Sequence, residues 1–207
     1  MRPLPRVHAF TDAGVLSHAE LGIRAAAIAS AGPAVALHVR ARGVTAAVLA
    51  GTAARLVALA RPPEAAVLVN ERSDIAAAVG AHGVQLARQD LLPSDARRVL
   101  PSGWIGCSVH DRTEAEEAVG EGADFLVVGN VYQTESHPGR AAAGLELVHE
   151  TAGFGVPVIA IGGITPENVA AVRAAGAYGV AAIRALWYAP DPASAALAML
   201  QPWVTTS

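Results

Sequence analysis

Residues 104–140 read WIGCSVHDRTEAEEAVGEGADFLVVGNVYQTESHPGR, and the order of patterns inside them decides the fold. Ile105, Cys107 and Val109 alternate with Gly106, Ser108 and His110, so the opening strand has one apolar face and one small, then polar, face. Asp111 and Thr113, backed by Glu114, Glu116 and Glu117, announce a helix, because carboxylates suit its positive end. A second apolar strand then runs into Gly129, Asn130 and a polar loop over 133–140. Two successive strands thus end in chemistry at their carboxyl ends.

The same alternation extends both ways. Short β-branched or leucine-rich runs predict strands over 6–10, 35–40, 66–70, 83–86, 104–108, 125–129, 156–161 and 179–183. Alanine-rich helical patterns fall between them, over 17–31, 44–60, 75–81, 93–100, 114–121, 145–151, 166–175 and 193–199. Repeated strand–helix units in a chain of 207 residues predict a single compact (β/α)8 TIM barrel over 1–207, with its site at the carboxyl ends of the strands. A doubly wound open sheet is the structural alternative, but no early glycine-rich dinucleotide turn supports it.

Composition narrows the function. A hydrophobic content of 53% predicts a substantial core, and a net charge of -3 without a basic run argues against nucleic acid. No apolar stretch is long enough to cross a membrane, the first ten residues lack a signal-peptide core, and a cytoplasmic location is expected. The lone Cys107 sits on an apolar strand face and reads as a core residue. All 15 basic residues are arginine, so lysine Schiff-base chemistry and a pyridoxal anchor are excluded.

Strand parity then selects candidate site residues. On the second strand His38, Arg40 and Arg42 share the face opposite Val35, Leu37 and Val39. The third unit ends in Asn70 and Glu71, and the fourth carries Gln85 and then Asp90. Glu71 and Asp90 are hard oxygen donors of the kind that hold Mg²⁺ beside a pyrophosphate, although two isolated acids are more often solvated or paired with arginine. In PVIAIGGITPENV, Gly162 and Gly163 let backbone approach a ligand, and Thr165 with Pro166 is expected to cap the next helix. Ile183 and Arg184 mark another helix start, and the loops after strands seven and eight are expected to cradle a phosphate.

VALHVRARG, LVNERSDIAAAVGAHGVQL, IGCSVHD, GADFLVVGNVYQTESHPG, PVIAIGGITPENV and AGAYGVAAIRAL, in this order, resemble the thiamine phosphate synthase superfamily, which includes the TenI-type thiazole tautomerases. The resemblance spans nearly the whole chain and implies a (β/α)8 barrel acting on a thiazole phosphate, with the phosphate on Gly162, Gly163, Ile183 and Arg184. Relative to the synthase pattern, His38 and Arg42 replace glutamine and lysine, Glu71 replaces an aspartate, and Ser136 and His137 stand where threonine and lysine close the sixth loop beyond Thr134. Asp90 matches. The loss of both lysines weakens a pyrophosphate site, while LHVR, GVQL and SVHD resemble the tautomerase pattern, so the expected activity is thiazole tautomerisation without a cofactor.

In that reading His110 moves the proton, Gln85 and Ser108 orient the substrate, Arg40 pairs with its carboxylate, and His38, Arg42, Asn70, Asn130, Thr134 and Ser136 complete the binding surface. The alternatives are a Mg²⁺-dependent thiamine phosphate synthase, favoured by the retained Glu71 and Asp90, and a non-catalytic sensor of thiazole or thiamine phosphates. The expected partner is a small-molecule thiazole phosphate rather than nucleic acid or membrane, and a homo-oligomer is left open.

Overall fold

The computed structural model describes residues 2–61, 64–134 and 142–204. Its strands are β1 (Val7–Phe10), β2 (Val35–Val39), β3 (Ala66–Asn70), β4 (Gly83–Leu86), β5 (Trp104–Val109), β6 (Phe125–Gly129), β7 (Val158–Ile161) and β8 (Gly179–Ala182). All neighbouring pairs are parallel, and β8 pairs back onto β1, which closes the barrel in sequence order. The helices are α1 (Ala13–Leu16), α2 (Leu21–Ala29), α3 (Ala46–Leu59), α4 (Ser73–Ala78), α5 (Pro93–Val99), α6 (Arg112–Gly120), α7 (Gly144–Ala152), α8 (Val169–Ala174), α9 (Arg184–Trp187) and α10 (Pro192–Leu200).

Period-two alternation sorts the strand residues into two cores, as a closed sheet requires. Leu37, Val67, Val84, Ile105, Cys107 and Leu126 point outward and pack beneath the helices. Ala36, Leu68, Trp104, Phe125, Val127 and Ile159 fill the barrel interior. Phe125 fits inside because Gly106 opposite it on β5 carries no side chain; an added Cβ would collide with its ring. The interior is therefore a packed plug, and only its upper layer is available to a ligand.

The strand expectations hold to within two residues at each end. Helix ends differ more, because local contacts set them. The helix predicted over 17–31 is α2, which begins only at Leu21; before it stands a separate short helix, α1, capped by Asp12, whose carboxylate accepts from Val15 N at 2.8 Å. Thr165 does not cap α8. Asn168 ties that turn instead, its Oδ1 accepting from Thr165 N (2.9 Å) and its Nδ2 donating to Gly163 O (2.9 Å), so the helix starts at Val169.

Cys107 is buried, and desolvation, helped by the charges of Asp124 and Asp90, pushes its thiol up to about 12. A thiol with that pKa carries almost no thiolate at pH 8. Native protein is expected to resist iodoacetamide at pH 8 and to react only after unfolding, as mass spectrometry would show.

Candidate active site

A cavity of about 410 Å³ opens at the carboxyl ends of the strands, lined on one side by Arg40, Arg42, Asn70 and Glu71 and on the other by Gly162, Gly163, Ile183 and Arg184. Ser108, His110, Asn130 and Thr134 stand between them on the β5 and β6 side, and Phe10, Val127 and Ile161 form an apolar floor.

Arg40 lies one residue past β2, where a loop would ordinarily wander. Thr11, fully buried after β1, prevents this: its Oγ1 donates to Arg40 O and accepts from Arg40 N, both at 2.8 Å. The guanidinium is half-buried, and its pKa is lowered by desolvation and by the like charge of Arg42, with Glu71 and Asp12 opposing. Arg40 makes no ion pair within 4.0 Å among the described residues. Two cations facing a cavity, Arg40 partly desolvated and neither neutralised at contact distance among the described residues, favour an anion there.

Glu71 has φ 68, in the left-handed region that a branched or long side chain rarely adopts. Its N–H is held by Gln85 O at 2.8 Å, which fixes the turn and projects the carboxylate at the rim beside Arg40. Asp90 does not line the cavity. Its Oδ2 accepts from Ala87 N at 2.6 Å within its own loop, so one oxygen is committed locally. No group of three or more acidic, histidine or cysteine side chains converges on a metal-sized space among the described residues. Any Mg²⁺ held here would need phosphate oxygens and water to complete its shell, which suits its preference for keeping such ligands.

On the far side, Gly162 (φ 103) and Gly163 (φ 65) make the turn after β7. A Cβ on Gly163 would lie 2.7 Å from Tyr132 Cβ and 2.8 Å from Gln133 O, so the turn must be glycine to pack against the loop after β6. The close packing keeps this glycine turn in the cavity wall beside the start of α9, where a turn can offer backbone N–H groups to an anion.

His110 is held by the first turn of α6. Asp111 caps that helix, accepting from Glu114 N at 2.8 Å, and Glu114 Oε2 accepts from His110 N (2.8 Å) and meets His110 Nδ1 at 3.0 Å. Arg88 pairs with the other Glu114 oxygen. The run from Asp111 to Glu117 therefore aims an imidazole into the cavity as well as starting a helix.

Two expected substrate contacts lie under the cavity surface. His38 is fully buried, stacked beneath Phe10 with ring centroids 3.9 Å apart at 12°. Gln85 is 1% exposed, and its Nε2 donates to Ser108 Oγ at 3.0 Å, so the serine keeps its own proton for a ligand. Parity places both inward correctly, but it does not show that Phe10 and Ser108 cover them. Ser136, His137 and Arg140 lie outside the described residues.

Against known proteins, the family profile described as thiamine monophosphate synthase matches residues 7–186. The thiamine-phosphate synthase of Salinispora tropica is 41% identical over 207 residues, covering 97% of this chain and 98% of that protein. The thiamine-phosphate synthase of Thermus thermophilus is 44% identical over 147 residues, covering 70% and 71%. Among solved structures, a thiamine phosphate pyrophosphorylase from Pyrococcus furiosus superposes with a TM-score of 0.81 at 29% identity, covering 95% of this chain and 94% of that one.

These relatives overturn the expectation of an isomerase. They carry a transferase name at substantial identity. The absence of lysine does not count against that name for a physical reason: Arg42 brings to the cavity the positive charge of the lysine it replaces, beside Arg40, which matches the synthase pattern. Matched over most of its length by the family profile and along nearly its whole length by a curated relative, the chain belongs to the thiamine monophosphate synthase family.

Proposed function

We propose that this chain is a thiamine phosphate synthase, joining a hydroxymethylpyrimidine pyrophosphate to a thiazole phosphate with release of pyrophosphate. The observation that carries the reading is that one cavity has two anion-accepting regions, the arginine pair after β2 and the glycine turn after β7. A reaction on a single phosphate needs one of them; a coupling of two phosphorylated partners needs both.

Phosphate on the Gly162–Gly163 turn, beside Ile183 and Arg184, sets the thiazole over the apolar floor of Phe10, Val127 and Ile161. Pyrophosphate beside Arg40 and Arg42 directs the pyrimidine methylene toward the same floor, where the carbon–oxygen bond breaks and a bond to the thiazole nitrogen forms. Arg40 and Arg42 meet the negative charge that develops on the departing pyrophosphate, and their preorganisation makes that contribution large. Glu71 at the cavity rim would hold Mg²⁺ at that leaving group, adding further charge neutralisation, and Asp90, outside the cavity lining with Oδ2 committed to Ala87 N, could join only through its other oxygen or through water. Ser108, Asn130 and Thr134 line the wall between the two anion regions and orient the rings.

No helix of the described residues is long and apolar enough to cross a membrane, and a cytoplasmic enzyme is part of this reading. Purified protein with both substrates and Mg²⁺ is expected to form thiamine phosphate and one equivalent of pyrophosphate, and to form neither when any component is omitted. Absence of product with all three present would refute the reading.

His110 has a different standing in a synthase, where no ring-to-methylene proton shift is required. His110→Gln is expected to lower coupling by less than about tenfold, below the roughly 10²–10⁴-fold of a general acid–base residue. Steady-state rates at saturating substrates would check this.

A further inference from the structure

Beneath the cavity floor, two histidines absent from the mechanism above form a chain that ends on a cavity residue. His8 Nε2 lies 3.0 Å from Pro5 O, His8 Nδ1 lies 2.8 Å from His38 Nε2, and His38 Nδ1 lies 3.3 Å from the amide of Asn70. Both imidazoles are fully buried, and Asn70 is 7% exposed and lines the cavity.

We infer that His8 and His38 are positioning residues whose ordered protons turn the Asn70 amide so that its nitrogen faces His38 and its carbonyl oxygen faces the cavity, as an acceptor for an amino group on the substrate ring.

The order follows from counting protons. Pro5 O only accepts, so His8 Nε2 must carry a proton. Burial holds His8 at a pKa of about 4, so it is neutral near pH 7 and its Nδ1 is a bare lone pair. Two lone pairs cannot face each other at 2.8 Å, so His38 Nε2 donates to it. Burial and the neighbouring His8 keep His38 neutral as well, its Phe10-stacked ring having no carboxylate in hydrogen-bond contact among the described residues. His38 Nδ1 is therefore an acceptor, and the Asn70 atom that meets it must be a donor. An Oδ1 facing that nitrogen at 3.3 Å would set acceptor against acceptor; the two ends of an amide are nearly isosteric, and the proton count selects the opposite rotamer.

The end of the amide turned to the cavity is then the oxygen. It repels phosphate, which reinforces the placing of pyrophosphate on Arg40 and Arg42, and it accepts from the exocyclic amine of an aminopyrimidine. That substrate assignment rests on the synthase reading, whereas the order of the protons does not.

The test uses selectively ¹⁵N-histidine-labelled full-length protein and long-range ¹H–¹⁵N correlation spectra at pH 7. Both His8 and His38 are expected as neutral Nε2–H tautomers. In His8→Phe, which keeps an aromatic ring near Phe125, His38 loses its acceptor and is expected to switch to the Nδ1–H tautomer, donating to the Asn70 oxygen. The KM for the pyrimidine substrate should then rise about tenfold to a hundredfold, the range for leaving a buried polar group mismatched, with kcat and the KM for thiazole phosphate changed less than about threefold. His8→Gln, which can offer an amide oxygen, should restore most of the loss. A charged or Nδ1–H His38 in the unmodified protein, or no tautomer change in His8→Phe, would overturn the inference. The unmodified protein alone gives the first result should a variant fail to fold. Correct tautomers without coupling activity would refute the synthase reading and leave the relay standing.

Discussion

Arg40→Ala is expected to lower kcat/KM for coupling by about 10²–10³-fold, roughly 2.7–4 kcal/mol of transition-state stabilisation, the range seen when one preorganised donor to developing charge is removed. The size follows from the environment. An exposed arginine is mobile and screened, and its ion pairs contribute little. Arg40 is half-buried, its backbone is clamped on both sides by Thr11, and it makes no ion pair at contact distance among the described residues. The loss should fall mainly on kcat, because charge on the pyrophosphate grows as the bond breaks, and the more exposed Arg42 should cost less when removed. Arg40→Lys should recover only part of the rate, since an ammonium lacks the planar fork that matches phosphate oxygens. Initial rates across both substrates would separate the terms. Equal losses at Arg40 and Arg42 would show that only net charge at the rim matters.

Glu71→Gly should separate activity from stability. The residue holds φ 68, and releasing a long side chain from the left-handed region gains more than glycine loses in unfolded-state entropy, so unfolding is expected to be unchanged or up to about 1 kcal/mol harder, a Tm rise of about 2–4 °C at most. The carboxylate beside the arginine pair disappears with the same change. Coupling is expected to fall by at least about 10²-fold, and added Mg²⁺ should no longer recover it after EDTA treatment. Thermal unfolding followed by circular dichroism, run beside Mg²⁺ titrations of the rate, would check both halves. Retained Mg²⁺-dependent turnover would remove Glu71 from the metal's shell and leave Asp90 as the carboxylate to test. Backbone strain kept at a position of chemical use is a common arrangement in enzyme sites, and Glu71, at φ 68 on the cavity rim, has that arrangement.

Much of the barrel and part of the site can be read in the sequence because both depend on short-range periodicity. Alternation in 104–110 predicts which side chains of β5 face outward, and the two cores divide along that parity. The arginines after β2, the glycine pair after β7 and the polar residues ending β5 and β6 are legible because a strand end in this fold is a site position. The choice of reaction was not legible from the same residues. It hinged on whether arginine could replace lysine at the cavity, which depends on how many cations reach it and how far each is desolvated.

The sequence by itself determined the eight strands, their order, the direction each strand residue faces and the rim of the barrel on which chemistry sits, since a period of two and the turn residues between runs are local properties. Only the tertiary structure decided depth. Phe10 from β1 lies across His38 from β2, Ser108 from β5 covers Gln85 from β4, and Asp90 folds back onto Ala87 while Glu71 is turned outward by a bond to Gln85 O. Each of these sets side chains from separate segments against one another, and a linear pattern carries no information about which of two inward-facing residues meets the ligand and which supports it from below.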